Sequence, residues 1–389
     1  MKNIKLMNKI AKIGTDVFDK AEYQVGEEVN NADAIMVRSA ALHDMEFNDE
    51  LLAIARCGAG VNNIPIDRCS DAGIVVFNTP GANANGVKEL TLCALFLAAR
   101  NVVGGIEWEK TLMGTEGVAK AVEKGKGGFA GGEIKGKTLG VIGLGAIGGA
   151  VANAATHLDM KVVGCDPFLS VTAAWNIRHS VQKANTFEDI YKVSDYISLH
   201  VPATPDTKNM INKDTIAMMK DGVKIINMAR GDLVNSDDLI EALNSGKVSA
   251  YVTDFADEKL LGQKGVVAIP HLGASTNEAE DNCAVMAAHQ LDDYLKYGNI
   301  KNSVNYPVVE IPVTAGAARV CVFHKNIPAV LSSVSSLFAD KGINIENLIN
   351  KSKGDNAVTV VEVMGEVADD IVNAVNAING VVRVRVINL

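Results

Sequence analysis

The chain has 389 residues, 48% of them apolar and only 5% aromatic, with a formal net charge of −9. That length allows two or three domains with separate cores, and the apolar share is that of a globular α/β protein. The acidic balance argues against a nucleic-acid partner, which needs clustered positive charge. Lys2, Lys5, Lys9 and Lys12 form only a short basic run, read as a solvated face. Six scattered cysteines without a C-x-x-C spacing read as reduced core residues rather than a disulfide frame or a zinc site, and no metal is expected. No apolar h-region marks a signal peptide, and the longest apolar stretch, Leu92–Ala99, is too short to span a bilayer. A soluble cytoplasmic protein with no membrane partner is expected.

Strand-like runs begin at Ala34–Val37, Leu52–Arg56 and Ile74–Phe77, with helix-like Asp49–Ala55 leading in and Asp67–Ala72 following Pro65. That alternation predicts a small parallel α/β domain. A long apolar helix follows from Val87 to about Val103. Residues 104–137, rich in glycine and lysine, read as a helix and surface arm suited to a subunit contact.

Next comes the most specific signal. The run Thr138–Ile142 leads into a glycine turn, Gly143-Leu-Gly145-Ala-Ile-Gly148, which opens a helix from Ala146 to about His157. A second strand, Lys161–Cys165, ends at Asp166. Strand, glycine turn, helix, strand and acid form a dinucleotide-binding unit. The glycines let backbone approach a pyrophosphate at a helix N-terminus, and the acid holds ribose hydroxyls. Further strands at Tyr196–His200, Lys224–Asn227, Ala250–Asp254 and Val266–Ile269 predict a doubly wound sheet. Three polar residues stand at the carboxyl ends of these strands: Arg230, Glu258 and His271. Ligands bind outside such ends, where arginine can fork onto a carboxylate and histidine can exchange a proton near neutrality.

Residues 298–317 carry Pro307, Pro312 and several asparagines without a period, and read as a linker. The remaining tail reads as strand Arg319–Phe323, helix Ala329–Ala339, strands Asn344–Asn350 and Val358–Met364, helix Asp369–Ile378 and strand Val381–Ile387. This βαββαβ order predicts a ferredoxin-like domain. In its last strand Val382, Val384 and Val386 alternate with Arg383 and Arg385, so one face should be buried and the other wet.

Gly143–Gly148, Asp166, His200-Val201-Pro202, Asn227–Gly231, Asp254 and Pro270–Gly273 stand in an order and spacing that resembles the D-2-hydroxyacid dehydrogenases. The likeness extends to Arg56–Asn63, Asn78–Gly81 and the His271–Glu280 run, and is nearest the branch that oxidises 3-phosphoglycerate. The tail resembles an ACT-type regulatory domain. The resemblance implies a Rossmann nucleotide domain, 85–272, inserted into a flavodoxin-like substrate domain, 1–84 and 273–300, then a linker, 301–317, and a regulatory domain, 318–389. Substrate would bind in the cleft between the first two. It also implies an NAD site built from Gly143, Gly145, Ala146, Ile147, Gly148, Asp166, His200, Val201, Pro202, Thr207, Met228, Ala229, Arg230, Asp254, His271 and Gly273.

His271 would take the C2 hydroxyl proton, Glu258 would pair with it, and Arg230 would hold the carboxylate and the C2 oxygen. Backbone at Ala59, Gly60 and Val61 would bind the substrate carboxylate, and Arg38 and Arg56 the phosphate of 3-phosphoglycerate. Arg38 and Arg56 also fit an intradomain ion pair. Asp254 would lie near the nicotinamide amide. Asp166, followed by Pro167 and Phe168 rather than arginine, favours NAD over NADP. His324, Asn326 and Asn344 match positions that hold an L-serine effector, and a homodimer or homotetramer is implied.

Four positions depart from the family pattern. Ala146 replaces a basic residue. The segment after Asp254 is one residue short, which leaves Asp257 as the alternative to Glu258. Lys88 stands in place of alanine, and Ala329 in place of a glycine. Two other readings stay open: a dehydrogenase of 2-hydroxyglutarate, glycerate or glyoxylate, and a non-catalytic NAD-sensing co-regulator on the same fold.

Overall fold

The computed structural model describes all 389 residues and divides into two compact units, Met1–Ala82 with Glu280–Leu389, and Asn83–Ala279. No single helix is both long and apolar enough to cross a membrane.

The first unit opens with five parallel strands, β1 (Lys2–Met7), β2 (Tyr23–Gly26), β3 (Ala34–Val37), β4 (Ala53–Arg56) and β5 (Val75–Phe77), in the order β2-β1-β3-β4-β5. This is the flavodoxin-like order, and all four residues of central β3 are buried, as a strand covered on both faces requires. One face meets Leu42, Ile64 and Cys69. The other packs on the helix Asn277–Tyr297 through Ala284, Ala287, Leu291 and Leu295. Strands β1 and β2 were not expected. The lysines of β1 are not a solvated face: Ile4 between them is fully buried, Lys5 donates to the Val29 carbonyl at 3.3 Å, and Lys2 donates to the Leu295 carbonyl. The helix expected at Asp49–Ala55 is absent, because Ala53–Arg56 pairs in register with Ala34–Val37 as a strand.

The second unit carries seven parallel strands, β6 (Thr138–Ile142), β7 (Lys161–Cys165), β8 (Gln182–Lys183), β9 (Tyr196–Leu199), β10 (Val223–Asn227), β11 (Val248–Thr253) and β12 (Val266–Ala268). Their order is β12-β11-β10-β9-β6-β7-β8, the Rossmann arrangement, with its switch point between β6 and β9. The expected long helix is two pieces. Ala84–Ala99 stops where Arg100 turns extended, and Val102–Thr111 restarts with the Asn101 side chain accepting the Gly104 N–H at 3.1 Å. Neither Val102–Thr111 nor the following helix Val118–Gly125 buries a residue.

The tail folds as expected into a four-stranded antiparallel sheet, β13 (Ala317–Lys325), β14 (Asn347–Lys353), β15 (Asn356–Met364) and β16 (Val381–Asn388), ordered β14-β15-β13-β16. The helices Val330–Asp340 and Asp369–Asn376 cover one face with Val334, Phe338, Ile371 and Val375. The opposite face is not wet. Cys321, Phe323, Val358, Val360 and Ile387 share a core with Phe77, Tyr294, Leu295 and Tyr306.

Within that face lies an ion pair, Arg319–Glu362, at 2.6 Å and about 99% buried. Arg319 also donates to the carbonyls of Tyr297, Ile311 and Pro312, and Glu362 accepts Asn347 at 2.7 Å, so both charges are fully bonded. Arg385 donates to the Tyr294 carbonyl at 2.9 Å and to Leu295, and Arg383 to Asp49 at 3.0 Å. The cations of Arg385 and Lys2 thus close the carbonyl end of the helix Asn277–Tyr297, where the helix dipole favours them. The expected linker is likewise built in: Asn305 bonds Val76 N–H and the Ile74 carbonyl, both at 2.9 Å, and Tyr306 donates to the Ser70 carbonyl at 2.8 Å.

Candidate active site

The glycine turn joins β6 to the helix Ala146–His157. Gly143 has φ 89°, and a side chain there would press on the His200 carbonyl. A side chain at Gly148 would overlap the Gly143 carbonyl, whereas Gly145 faces open space. No side chain caps the helix, so its first N–H groups are free for an anion. Asp166, at the end of β7, accepts Leu144 N–H on one oxygen and Phe168 N–H on the other, both at 2.9 Å. Its carboxylate is thereby fixed beside the turn with lone pairs to spare. Ala146 is exposed and Ile147 half-buried over this end.

At the end of β9 the His200 ring contacts Ser198 Oγ through Nε2 at 2.8 Å, and burial pushes its pKa down to about 4, so it is neutral. Val201 is half-buried and Pro202 exposed. Thr207 donates its hydroxyl to the Pro202 carbonyl at 2.6 Å, which shapes that loop. Met228 is buried in the core, so only its backbone can face a ligand, with Ala229 half-buried beside it. Free helix amides, closely packed glycines and a fixed acid fit a dinucleotide.

The reactive groups stand on β10, β11 and β12. Fully buried Asn227 shapes the turn after β10, donating to the Arg230 carbonyl at 2.8 Å and accepting the N–H groups of Ala229 and Arg230 at 3.1 and 3.3 Å. Arg230 leaves that turn extended, with its guanidinium 5.7 Å from the Phe255 ring centre. Asp254 follows β11, its side chain only 1% exposed, and its Oδ2 lies 2.9 Å from Nδ1 of His271, which is 58% exposed. A buried carboxylate on Nδ1 orients the imidazole and leaves Nε2 free for chemistry. Burial pushes the Asp254 carboxyl up from its ordinary pKa, opposed by His271 and Arg230, and its Oδ1 has no partner. Gly273 lies against Val87, with Asp254 close by.

Glu258 does not pair with His271. It is exposed and forms no hydrogen bond or ion pair. Asp257, the alternative, accepts Ser236 Oγ at 2.6 Å and the N–H groups of Lys259 and Leu260 at 3.0 Å, which pins the short loop and turns Glu258 outward. The signal for Asp254 was the parallel register. Thr253 pairs with Ala268, so the residue after each strand starts on the same level, two positions before His271. Lys88 bonds Asn85 Oδ1 at 2.5 Å within its own helix turn.

In the first unit, Arg56 ends β4 half-buried, donating to the Cys57 carbonyl at 3.2 Å, with Nε buried and unpartnered and no carboxylate on it. Burial pushes its pKa down. Gly58, at φ 147°, is required here because a side chain would overlap the guanidinium. The amides of Ala59, Gly60 and Val61 make no hydrogen bond within the chain, while Asn78 holds the Ala59 carbonyl at 2.7 Å. Arg38 is engaged otherwise, at 2.6 Å from Glu280.

The expected effector residues do not meet in one chain. His324 is 4% exposed, with Nδ1 on the Lys325 carbonyl at 2.8 Å and Nε2 on Thr359 Oγ1 at 2.9 Å. Asn326 donates to Gly354, whereas Asn344 bonds Glu346 near the opposite end of the sheet, where Asn347 and Arg319 both lie level with Glu362. Ala329 is held at φ 70°.

The model for the D-isomer specific 2-hydroxyacid dehydrogenase NAD binding domain matches residues 105–273, and that for the AHAS small subunit-like ACT domain matches 321–383. A putative D-3-phosphoglycerate dehydrogenase of Schizosaccharomyces pombe is 32% identical over 88% of this chain and 76% of its own length. The D-3-phosphoglycerate dehydrogenase of Escherichia coli is 31% identical over 94% of this chain and 89% of its own. That of Bacillus subtilis is 33% identical, but the chain spans only 55% of its length. Among solved structures, the NAD+-bound 3-phosphoglycerate dehydrogenase of Entamoeba histolytica is similar, with 26% identity, a TM-score of 0.59, and coverage of 78% of this chain and 98% of that one.

Proposed function

The chain belongs to the D-isomer specific 2-hydroxyacid dehydrogenases, on their D-3-phosphoglycerate dehydrogenase branch, and we propose that it oxidises D-3-phosphoglycerate to 3-phosphohydroxypyruvate, opening L-serine synthesis. The observation that carries the chemistry is the buried Asp254 on the exposed His271, with Arg230 beside them. The cofactor is NAD, which when bound supplies the acceptor for the C2 hydride.

The chain's own residues handle the proton and the charges. Nε2 of His271 takes the C2 hydroxyl proton, and the resulting imidazolium is steadied by Asp254, to which we give the partner role in place of Glu258. Arg230 draws on the C2 oxygen as it becomes a carbonyl. The unused amides at Ala59, Gly60 and Val61 suit the substrate carboxylate, and the unpaired guanidinium of Arg56 suits the phosphate, with Arg38 as its second cation. The Asp166 carboxylate beside the turn would repel a 2′-phosphate.

The engagement of Arg38 by Glu280 favours a second reading, in which a phosphate-free acid such as D-2-hydroxyglutarate is the substrate. The tail is assigned regulation by a small molecule. L-serine would have to release His324 from Thr359. Contact between copies, in a dimer or tetramer, is assigned to the helices Val102–Thr111 and Val118–Gly125.

The test follows NADH formation with 3-phosphoglycerate, D-2-hydroxyglutarate and D-glycerate, each with and without L-serine. Oxidation of 3-phosphoglycerate well above the other two supports the reading. Turnover of only the phosphate-free acids removes the phosphate role of Arg56, and turnover of none refutes the enzyme.

A further inference from the structure

We propose that Phe255 is a positioning residue for this reaction, its ring holding His271 and Arg230 in their working orientations; the proposal rests on the functional reading above. The Phe255 ring centre lies 4.4 Å from that of His271, with the planes tilted by 49°, and 5.7 Å from the Arg230 guanidinium carbon. One side chain therefore touches both groups that act at C2.

His271 needs such a support. It is largely exposed, and its one hydrogen bond, to Asp254, fixes Nδ1 but leaves the ring free to rock about that contact. A second, apolar contact on the ring removes this freedom. Arg230 likewise has only its own Ala229 carbonyl as a partner, at 2.6 Å. An aromatic ring near two groups that both carry positive charge during turnover is electrostatically suited to each, where an aliphatic side chain would be indifferent.

The support is itself fixed. Phe255 N–H donates to Thr253 Oγ1 at 3.0 Å, and that hydroxyl donates to the Asn227 carbonyl at 2.9 Å. Asn227 is the residue that shapes the Arg230 turn, so ring and guanidinium are set from one buried network.

The experiment compares the wild-type full chain with Phe255→Leu, which keeps bulk and loses the ring, and Phe255→Tyr, which keeps the ring. Phe255→Met replaces Phe255→Leu if the latter does not fold. Readouts are kcat and KM on the three acids, NADH affinity by fluorescence, and 15N resonances of the His271 ring. In the neutral ring Asp254 selects the Nδ1–H tautomer, so the two nitrogens should resonate well apart. Phe255→Leu should lose about tenfold in kcat with KM and NADH affinity little changed, because it loosens geometry rather than binding. Its two 15N resonances should draw together, and Phe255→Tyr should restore both signatures. Wild-type kcat together with well-separated resonances in Phe255→Leu would overturn the proposal. If the wild type oxidises none of the acids, the functional reading fails, while the 15N comparison still decides the role of Phe255.

Discussion

Arg38 and Glu280 form an ion pair at 2.6 Å, each about two-fifths exposed, while Arg56 keeps no carboxylate at all. Glu280 thus occupies one of the two cations that we assign to a substrate phosphate. Exposed pairs are weak, so the competition is modest. Glu280→Gln should lower KM for 3-phosphoglycerate about two- to fivefold and leave that for D-glycerate unchanged. Steady-state kinetics decide it, and an equal change for both acids would sink the idea.

Asp254 and Glu258 make opposite predictions. Asp254→Asn removes the charge that steadies protonated His271, and kcat should fall about a hundredfold. Glu258→Gln alters an exposed side chain with no partner and should stay within about twofold of wild type. A large loss in Glu258→Gln alone would restore the pairing that the family resemblance implies.

His200 sets an acid limit on stability. Folded, it takes a proton only near pH 4, whereas an unfolded histidine does so at about 6.5. The stability from keeping it neutral is complete above pH 6.5 and is lost as the pH falls toward 4. Melting curves across that range should show His200→Asn losing less stability on acidification than wild type. Parallel losses would contradict the burial of His200.

Ala329 sits at φ 70°, where a Cβ is unfavourable. Ala329→Gly should stabilise the chain by about 0.5–1 kcal/mol, the relief of strain exceeding the entropy glycine loses on folding. Ala329→Val should destabilise it. Urea unfolding measures both, and a loss of stability in Ala329→Gly would show that the alanine methyl makes a compensating contact.

The Arg319–Glu362 pair is buried and fully bonded. Glu362→Ala should cost about 3–5 kcal/mol, because it strands a buried guanidinium. The double variant Arg319→Met with Glu362→Leu should regain most of that loss. Denaturant curves for the three chains would expose an error if the double variant were the least stable.

What was legible in the sequence was local. The glycine turn at 143–148, the helix to His157 and Asp166 lie within one βαβ unit, where period and spacing carry the information. The tail was legible from its βαββαβ order, with alternation marking only its last strand. What was lost depends on partners distant in sequence. β1 alternates lysine with aliphatics as a solvated edge would, and only pairing with β2 and β3 buries it. Arg383 and Arg385 resemble a wet face until the carbonyls of Asp49 and Tyr294 are placed against them. Asp254 became the histidine partner through the register of β11 with β12, which no spacing along one strand encodes.

The tail sheet has no free face, since helices cover one and Tyr294, Leu295 and Tyr306 fill the other. Removing the domain would therefore expose the apolar residues it shares with the helix Asn277–Tyr297. A lineage that lost it would have to resurface the end of the helix Asn277–Tyr297 with polar residues at the same time, and one that exchanged it for another ACT-type domain would have to match Phe323 and Arg319 side chain for side chain. Cutting the chain before β13 would strip the apolar cover from the helix as well as remove the sheet.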